Sequence, residues 1–308
     1  MKKNRIPLEL YAPKHWGTWF GIFLLRLLCL FPYRLMPKIS SLLGSVFFKI
    51  AKRRRRIIET NIKICFPEKT DEEQHQLALQ ASTATFMALF ETSLTWFGPT
   101  ERYIHRHTVE GMEHLTNATK GGKGVIILAS HFTTLEMSGA LLNSHIDNLK
   151  VVYKRSNVPL LEYFIQTRRG TKCCSGLIKH KSLREVVRSV KKGNVVSFSP
   201  DQDFGEKDSI FAPFFGTPCC TLLSTQRLAK LTGTPVIPFF VSRNEDGLGY
   251  TMRFSPPLED FPSDDDLHDA TAVNKAIEEQ IKIAPAQYLW AHRRFKTRPK
   301  GEADVYKI

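Results

Sequence analysis

Apolar positions along this chain fall into short, almost wholly hydrophobic runs separated by longer amphipathic stretches, the alternation expected of an α/β protein. Val125 to Ala129, Leu149 to Tyr153, Asn194 to Ser199, Val236 to Ser242 and Tyr250 to Phe254 read as strands. Between them the periodicity predicts helices. Arg56 to Glu68 forms a basic amphipathic helix that ends at Pro67. Asp71 to Trp96 forms another, with Leu77, Ala81, Ala84, Ala88 and Glu91 along it and a capping signal in Thr70 and Glu73. Further helices are expected from Leu160 to Thr167, from Cys220 to Leu231 and from Ala270 to Ile283, the last stopped by Pro285. Asp264 to Asp266 reads as a linker, Ile210 to Gly216 as an exposed apolar loop, and Gln287 to Pro299 as a closing segment. No internal repeat is visible.

The first apolar segment, Trp16 to Phe31, is interrupted by Arg26 and ended by Pro32. At about 1.5 Å per residue it spans roughly 24 Å, short of the roughly 30 Å of a bilayer core. A second apolar patch, Ile39 to Ala51, runs into Lys52-Arg53-Arg54-Arg55-Arg56. This pattern predicts a membrane anchor over residues 1–56, either a short span or an in-plane helix, with the arginines on an anionic surface. Residues 57–308 form the catalytic body.

Charge sharpens that division. The net charge is +14, but residues 1–56 alone carry thirteen Lys and Arg against one acid, leaving the other 252 residues at only +2. A nucleic-acid-binding domain places its excess on the folded body, so that class is disfavoured. The six cysteines include two adjacent pairs without Cys-x-x-Cys or histidine spacing. Neither a zinc site nor any cofactor is expected, and in a chain this large reduced thiols are the expected state.

Candidate chemistry concentrates where the strand Val125 to Ala129 ends in Ser130 and His131, with Glu136 on the first turn of the following helix. In open α/β sheets ligands gather outside the carboxyl ends of strands. The same His-x4-acid spacing recurs at His105/Glu110 and His180/Glu185, but no buried strand feeds either pair, so spacing alone decides nothing. Five residues turn an ideal helix by about 500°, so His131 must sit in the turn with its imidazole folded back towards Glu136. The carboxylate would fix the tautomer and the other ring nitrogen would take a proton from a hydroxyl. No Gly-x-Ser-x-Gly elbow occurs, which suggests direct acyl transfer to a substrate hydroxyl. The alternative is a buried histidine beside an acid favoured by the helix dipole.

Other candidates surround this motif. Residues 150–192 carry twelve basic side chains against two acids, Lys154 and Arg168-Arg169 among them. Such a cluster suits phosphorylated substrates or an acidic carrier protein. Asp201 and Asp203 follow the third strand, placed to orient a basic side chain or shape a turn; a metal site is the weaker reading, because no further acid is near.

Taken together, these residues resemble the late acyltransferases of lipid A biosynthesis, the lauroyl/myristoyl transferase family within the lysophospholipid acyltransferase group. The resemblance covers nearly the whole chain. Its carriers include Arg54-Arg55-Arg56-Ile57-Ile58-Glu59-Thr60-Asn61-Ile62, Cys65-Phe66-Pro67-Glu68, Ser130 to Glu136, Gln166-Thr167-Arg168, Pro200 to Gly205, Phe211 to Phe215 and the run Trp290 to Pro299. The resemblance implies a mixed central sheet flanked by helices, as in glycerolipid acyltransferases. It also implies transfer of an acyl chain from acyl carrier protein to a hydroxyl of a Kdo-bearing lipid A precursor, at the cytoplasmic face of the inner membrane. Carried over, His131 is the general base and Glu136 its partner, Arg168 stabilises the oxyanion or a phosphate, and Asp201 and Asp203 organise the pocket and hold basic side chains. This chain has Arg168-Arg169-Gly170 where relatives place a glycine between two arginines, which leaves open which arginine faces substrate. The competing enzyme reading, a glycerophospholipid acyltransferase acting on lysophosphatidic acid, usually shows Asn before the His and Asp in place of Glu.

Overall fold

Four helices precede the first strand in the structure, a computed structural model describing residues 5–307; the outermost residues of the two predicted segments, 1–4 and 308, lie outside the described residues. They are α1 (Trp16–Leu28), α2 (Met36–Ile50), α3 (Lys52–Cys65) and α4 (Asp71–Phe97). The capping signal read for α4 is formed: Thr70 Oγ1 accepts from the Glu73 N–H, and Glu73 Oε2 accepts from the Thr70 N–H at 2.8 Å. There follow β1 (His107–Glu110), α5 (Met112–Ala118), β2 (Val125–Leu128), α6 (Leu135–Asn143), β3 (Leu149–Tyr153) and α7 (Pro159–Phe164). A π-helical turn, Ile165–Arg169, carries α7 into α8 (Gly170–Lys172). Then come β4 (Gly176–Lys179), α9 (Leu183–Lys191), β5 (Val195–Phe198), β6 (Ser209–Phe214), β7 (Thr217–Leu222), α10 (Ser224–Thr232), β8 (Val236–Arg243), β9 (Tyr250–Phe254) and α11 (Asp266–Ile283).

Seven strands form one mixed sheet in the order β1-β9-β8-β2-β5-β3-β4. β8, β2, β5, β3 and β4 run parallel, β9 is antiparallel to β8, and β1 is parallel to β9. β2 lies inside the sheet, and all four of its residues are fully buried. Alternation sends Ile126 and Leu128 towards α3, α9, α10 and α11, and Val125 and Ile127 towards α6 and the second half of α4. A strand covered by helices on both faces must be apolar at every position, which is why its sequence reads as a continuous run.

Three local expectations are corrected. Ile210 to Gly216 is not an exposed loop: it is mostly β6, paired antiparallel with β7, with Ala212 and Phe214 buried against α11. Pro213 is tolerated because this is a separate two-stranded ribbon. The helix expected from Cys220 starts only at Ser224, since Cys219 to Thr221 are buried strand residues. The basic helix starts at Lys52, so the arginine cluster is helical. Asp265 serves as the N-cap of α11, accepting from the Leu267 N–H at 2.8 Å.

A buried polar knot ties the first helices to the sheet. Glu91 of α4 accepts from Arg243 Nη2 at 2.8 Å and from the Tyr250 hydroxyl at 3.0 Å, while the Tyr33 hydroxyl donates to Tyr250 at 2.9 Å. Arg243 also donates to Thr133 Oγ1 at 2.9 Å. With both ions desolvated, removing one strands the other. Glu91→Ala is therefore expected to cost about 3–5 kcal/mol of stability, read from the midpoint of urea unfolding in detergent.

Candidate active site

Four parallel strands end on the same side of the sheet, and each delivers a side chain there. β2 leads to His131, β3 to Lys154, β4 to His180 and β5 to Asp201. The residues after β2 are fixed from several directions. Ser130 Oγ donates to Gln280 Oε1 of α11 at 2.6 Å, the Thr133 N–H donates to the Gln287 carbonyl at 2.8 Å, and Thr134 Oγ1 donates to the Val241 carbonyl at 2.6 Å. The Leu289 N–H binds the His131 carbonyl at 2.9 Å. Ser130 is buried and committed, so it is unsuited to act as a nucleophile.

His131 is held by Asp201. One carboxylate oxygen accepts from the His131 backbone N–H at 2.7 Å, and the other lies 2.6 Å from Nδ1. Burial alone would raise the Asp201 carboxyl, but the imidazole's charge and these hydrogen bonds hold it down at about 2. It is thus ionised at neutral pH, so Nδ1 carries the proton and Nε2 is the basic nitrogen. Burial alone would likewise lower His131; the Asp201 carboxylate outweighs it and raises the imidazole above its usual value.

This geometry corrects the expected pairing of His131 with Glu136. Glu136 is buried on α6 and turns to different partners: Trp96 Nε1 donates to its Oε2 at 2.9 Å, and Arg169 donates Nε to Oε1 at 2.9 Å together with Nη2. Of the two adjacent arginines, Arg169 makes this ion pair and lines the cavity, whereas Arg168 stacks its guanidinium 5.4 Å above the Phe97 ring.

The cavity, about 870 Å³, is lined by His131, Glu136 and Arg169 and by apolar side chains such as Leu142, Val151 and Phe239. Its polar lining includes Lys154, His180, Lys181 and Lys207. Phe204 carries the Lys154 ammonium 6.0 Å from its ring centroid and is stacked by His180 at 6.3 Å. Burial, and after it the nearby Lys181 and Lys154 charges, lower the His180 imidazole below its ordinary value. His180 was set aside in sequence because its acid neighbour meant nothing; its place after a parallel strand was the usable signal. Trp96, at the end of a helical pattern, carried none.

Asp203 does not enter the cavity lining. Its carboxylate takes the Thr297 N–H at 2.6 Å, the Thr297 hydroxyl at 2.8 Å and the Gly205 N–H at 2.9 Å. Its contact with a basic side chain is with Lys296, at 3.9 Å. The Asp203 N–H in turn donates to Nε2 of His292, whose imidazole burial pushes down to about 4, keeping it an acceptor. Asn61 of α3 donates to the Trp290 and His292 carbonyls, both at 2.7 Å. The closing run is thus a clamp on the Pro200–Gly205 loop, and through it on Asp201. All six cysteines are buried free thiols, and among the described residues no cluster of three or more His, Cys, Asp or Glu is placed to hold a metal ion.

A family model described as bacterial lipid A biosynthesis acyltransferase matches residues 5–297. The chain is 36% identical over 299 residues to the lipid A biosynthesis palmitoleoyltransferase of Escherichia coli (strain K12), covering 97% of each chain. It is 34% identical over 298 residues to the lauroyltransferase of the same organism, covering 96% of this chain and 97% of the relative. With that organism's myristoyltransferase it shares 27% over 297 residues, 96% of this chain and 91% of the relative. A match of this extent, over a histidine–carboxylate pair set in an apolar cavity, means that the chain belongs to the bacterial lipid A biosynthesis acyltransferases and is an acyltransferase.

Proposed function

We propose that the protein moves a fatty acyl chain, of the lauroyl, myristoyl or palmitoleoyl class, from acyl carrier protein to a hydroxyl of a Kdo-bearing lipid A precursor. It would act at the cytoplasmic face of the bacterial inner membrane, with residues 57–308 as the catalytic part. The observation that best supports this reading is His131 Nδ1 at 2.6 Å from a buried, ionised Asp201, on the wall of a large apolar cavity.

The proposed chemistry is a direct transfer. Nε2 of His131 takes the proton of the acceptor hydroxyl as that oxygen bonds to the thioester carbonyl carbon. The imidazolium formed is stabilised by Asp201, and the negative charge moves onto the carbonyl oxygen. Arg169 faces the cavity and stabilises that oxyanion, with Glu136 holding its guanidinium in place. Collapse breaks the carbon–sulfur bond, and the imidazolium returns its proton to the departing thiolate. Lys154, with His180 and Lys181 beside it, attracts the phosphates of donor or acceptor.

The pH dependence follows from the pair. A base must be unprotonated, so kcat/KM is expected to fall as pH drops through the raised His131 value, that is, from somewhat above 6.5 downward. Stability is limited from both sides. Asp201, depressed to about 2 from 3.8, contributes stability that is complete above about 4 and is lost as pH falls towards 2. His131, raised when folded, contributes stability below pH 6.5 that is lost as pH rises through its folded value. A flat rate profile between pH 5 and 8 would remove His131 as the base.

A paired assay tests the reading. Purified protein is given mixed acyl carrier protein thioesters with a Kdo-bearing lipid A precursor in one tube and lysophosphatidic acid in the other, with products read by mass spectrometry. One added acyl chain in the first tube alone is expected, and its mass gives the chain length. A gain in the second alone would move the protein to glycerophospholipid synthesis.

A further inference from the structure

The strands that end at the site line the cavity from both faces of the sheet. On β3, Val151 packs with the cluster that includes α4 and α6, and its neighbour Val152 with the cluster that includes α9, α10 and α11; both line the cavity. β8 repeats the division, with Phe239 on the first face and Phe240 on the second. Leu142 and Leu149 extend the first set, and Val186 and Leu228 the second. The space of about 870 Å³ therefore straddles the carboxyl edge of the sheet as two arms. His131, which follows the strand between β8 and β5, stands at the edge that divides them.

The arms differ in depth and in their polar rims. Leu149, Val151 and Tyr153, alternate residues of β3, all line the α6 arm. That arm thus runs the length of the strand, roughly 13 Å at about 3.3 Å per residue. Glu136 on α6 and its partner Arg169 stand over it. β3 gives the other arm only Val152. The rim there carries Lys181, just before α9, and Arg227 on α10, which pairs with Asp208 at 2.7 Å.

We propose that the α9/α10 arm is a separate acyl-chain site, which holds a fatty chain of the acceptor lipid while the α6 arm holds the chain being transferred. The assignment rests on the reading above, in which Arg169 binds the thioester carbonyl oxygen. The chain attached to that carbonyl then has the α6 arm directly beneath it. The acceptor hydroxyl must reach His131 Nε2 from the other side, where the lining is Val152, Val186, Leu228 and Phe240. Four apolar side chains suit hydrocarbon, whereas they would leave the amides of a phosphopantetheine arm without partners. Lys181 and Arg227 at the rim suit the acceptor's anionic head. A chain in each arm brings hydroxyl and carbonyl together at the edge where the base stands, an effect of orientation. Donor length is then read on one face of the sheet and acceptor acylation on the other.

Two adjacent substitutions test the division, because each fills one arm and spares the other. Val151→Phe and Val152→Phe both enlarge a half-buried valine that lines the cavity, so the added ring enters open space rather than packed core. The full chain in detergent is first irradiated with a dodecanoic acid bearing a diazirine at its far end, and labelled peptides are identified by mass spectrometry. Wild type is expected to carry label on both α6 and α9. Val151→Phe should keep the α9 label and Val152→Phe the α6 label, the retained label also reporting an intact fold. Label on α6 alone in wild type, or loss of both labels in a variant with unchanged circular dichroism, would overturn the second arm. Turnover then assigns the arms. Val151→Phe is expected to lower kcat/KM at least tenfold for the longest accepted donor chain and to spare shorter ones. Val152→Phe is expected to raise the acceptor KM at least tenfold and to leave the donor-length profile as in wild type. A changed donor profile with an unchanged acceptor KM in Val152→Phe would overturn the assignment. No transfer to the lipid A precursor, with labelling still divided, would sink the acceptor reading alone; the same KM comparison on lysophosphatidic acid would then decide the arm.

Discussion

Asp201→Asn is expected to lower turnover roughly 10³- to 10⁴-fold while leaving the fold nearly intact. The amide is isosteric and its carbonyl can still accept from the His131 backbone N–H, so the loop keeps its anchor. What changes is the second contact. An amide NH2 facing Nδ1 is a donor, so Nδ1 becomes the acceptor and the ring proton moves to Nε2, the nitrogen that must be basic in the proposed mechanism. The ion pair that stabilises the imidazolium is lost as well. Steady-state kinetics in a detergent-solubilised assay should show the loss in kcat with little change in KM, because a group acting through His131 does not hold the ground-state substrate. The raised imidazole value should also relax, moving the acid limb of any residual activity down in pH. A loss of tenfold or less would mean that Asp201 only braces the loop.

The second large effect is expected at the pair that sequence spacing assigned to a different role. Arg169→Met removes the guanidinium that binds Glu136 and leaves a buried carboxylate, 8% exposed, with the Trp96 indole and the Cys173 thiol as its donors. Breaking a buried ion pair from one side costs about 3–5 kcal/mol, mostly the desolvation of the survivor. In the proposed mechanism the same change withdraws the oxyanion's donor, a further loss of about 10²–10³ in kcat. The two consequences separate in a double variant. Glu136→Gln together with Arg169→Met removes the stranded charge and should restore most of the unfolding free energy, while turnover stays low. If the double variant regained both, the pair would be a structural strut and the oxyanion would need a different donor. Glu136→Gln alone should reduce kcat through misplacement of Arg169, with a smaller loss than Arg169→Met.

Much of the architecture was legible from residue order because its causes are local or periodic. A strand covered on both faces must be apolar along its covered length, so β2 and most of β8 announced themselves, and a capping box works only with its own residues, so the start of α4 was readable from Thr70 and Glu73. β6 escaped because Pro213 and Gly216 are turn residues in most settings; a two-stranded ribbon pressed on α11 accepts them. The position of His131 at a strand end was also legible. Its partner was not: a carboxylate seventy residues away and one five residues away look alike until the parallel pairing of β2 and β5 brings the ends of those strands together.

From the sequence by itself came the α/β class, the apolar and basic amino-terminal segment, the strand-end histidine and the family likeness of the whole chain, since each is written in composition, period or contiguous motif. Tertiary structure alone decided which acid serves His131, that Glu136 binds Arg169 and Trp96, and that Asp203 answers to Thr297 and His292. These are contacts between residues far apart in the chain. Side-chain type limits what each could bind, but only the strand order and helix packing select the partner within hydrogen-bond reach.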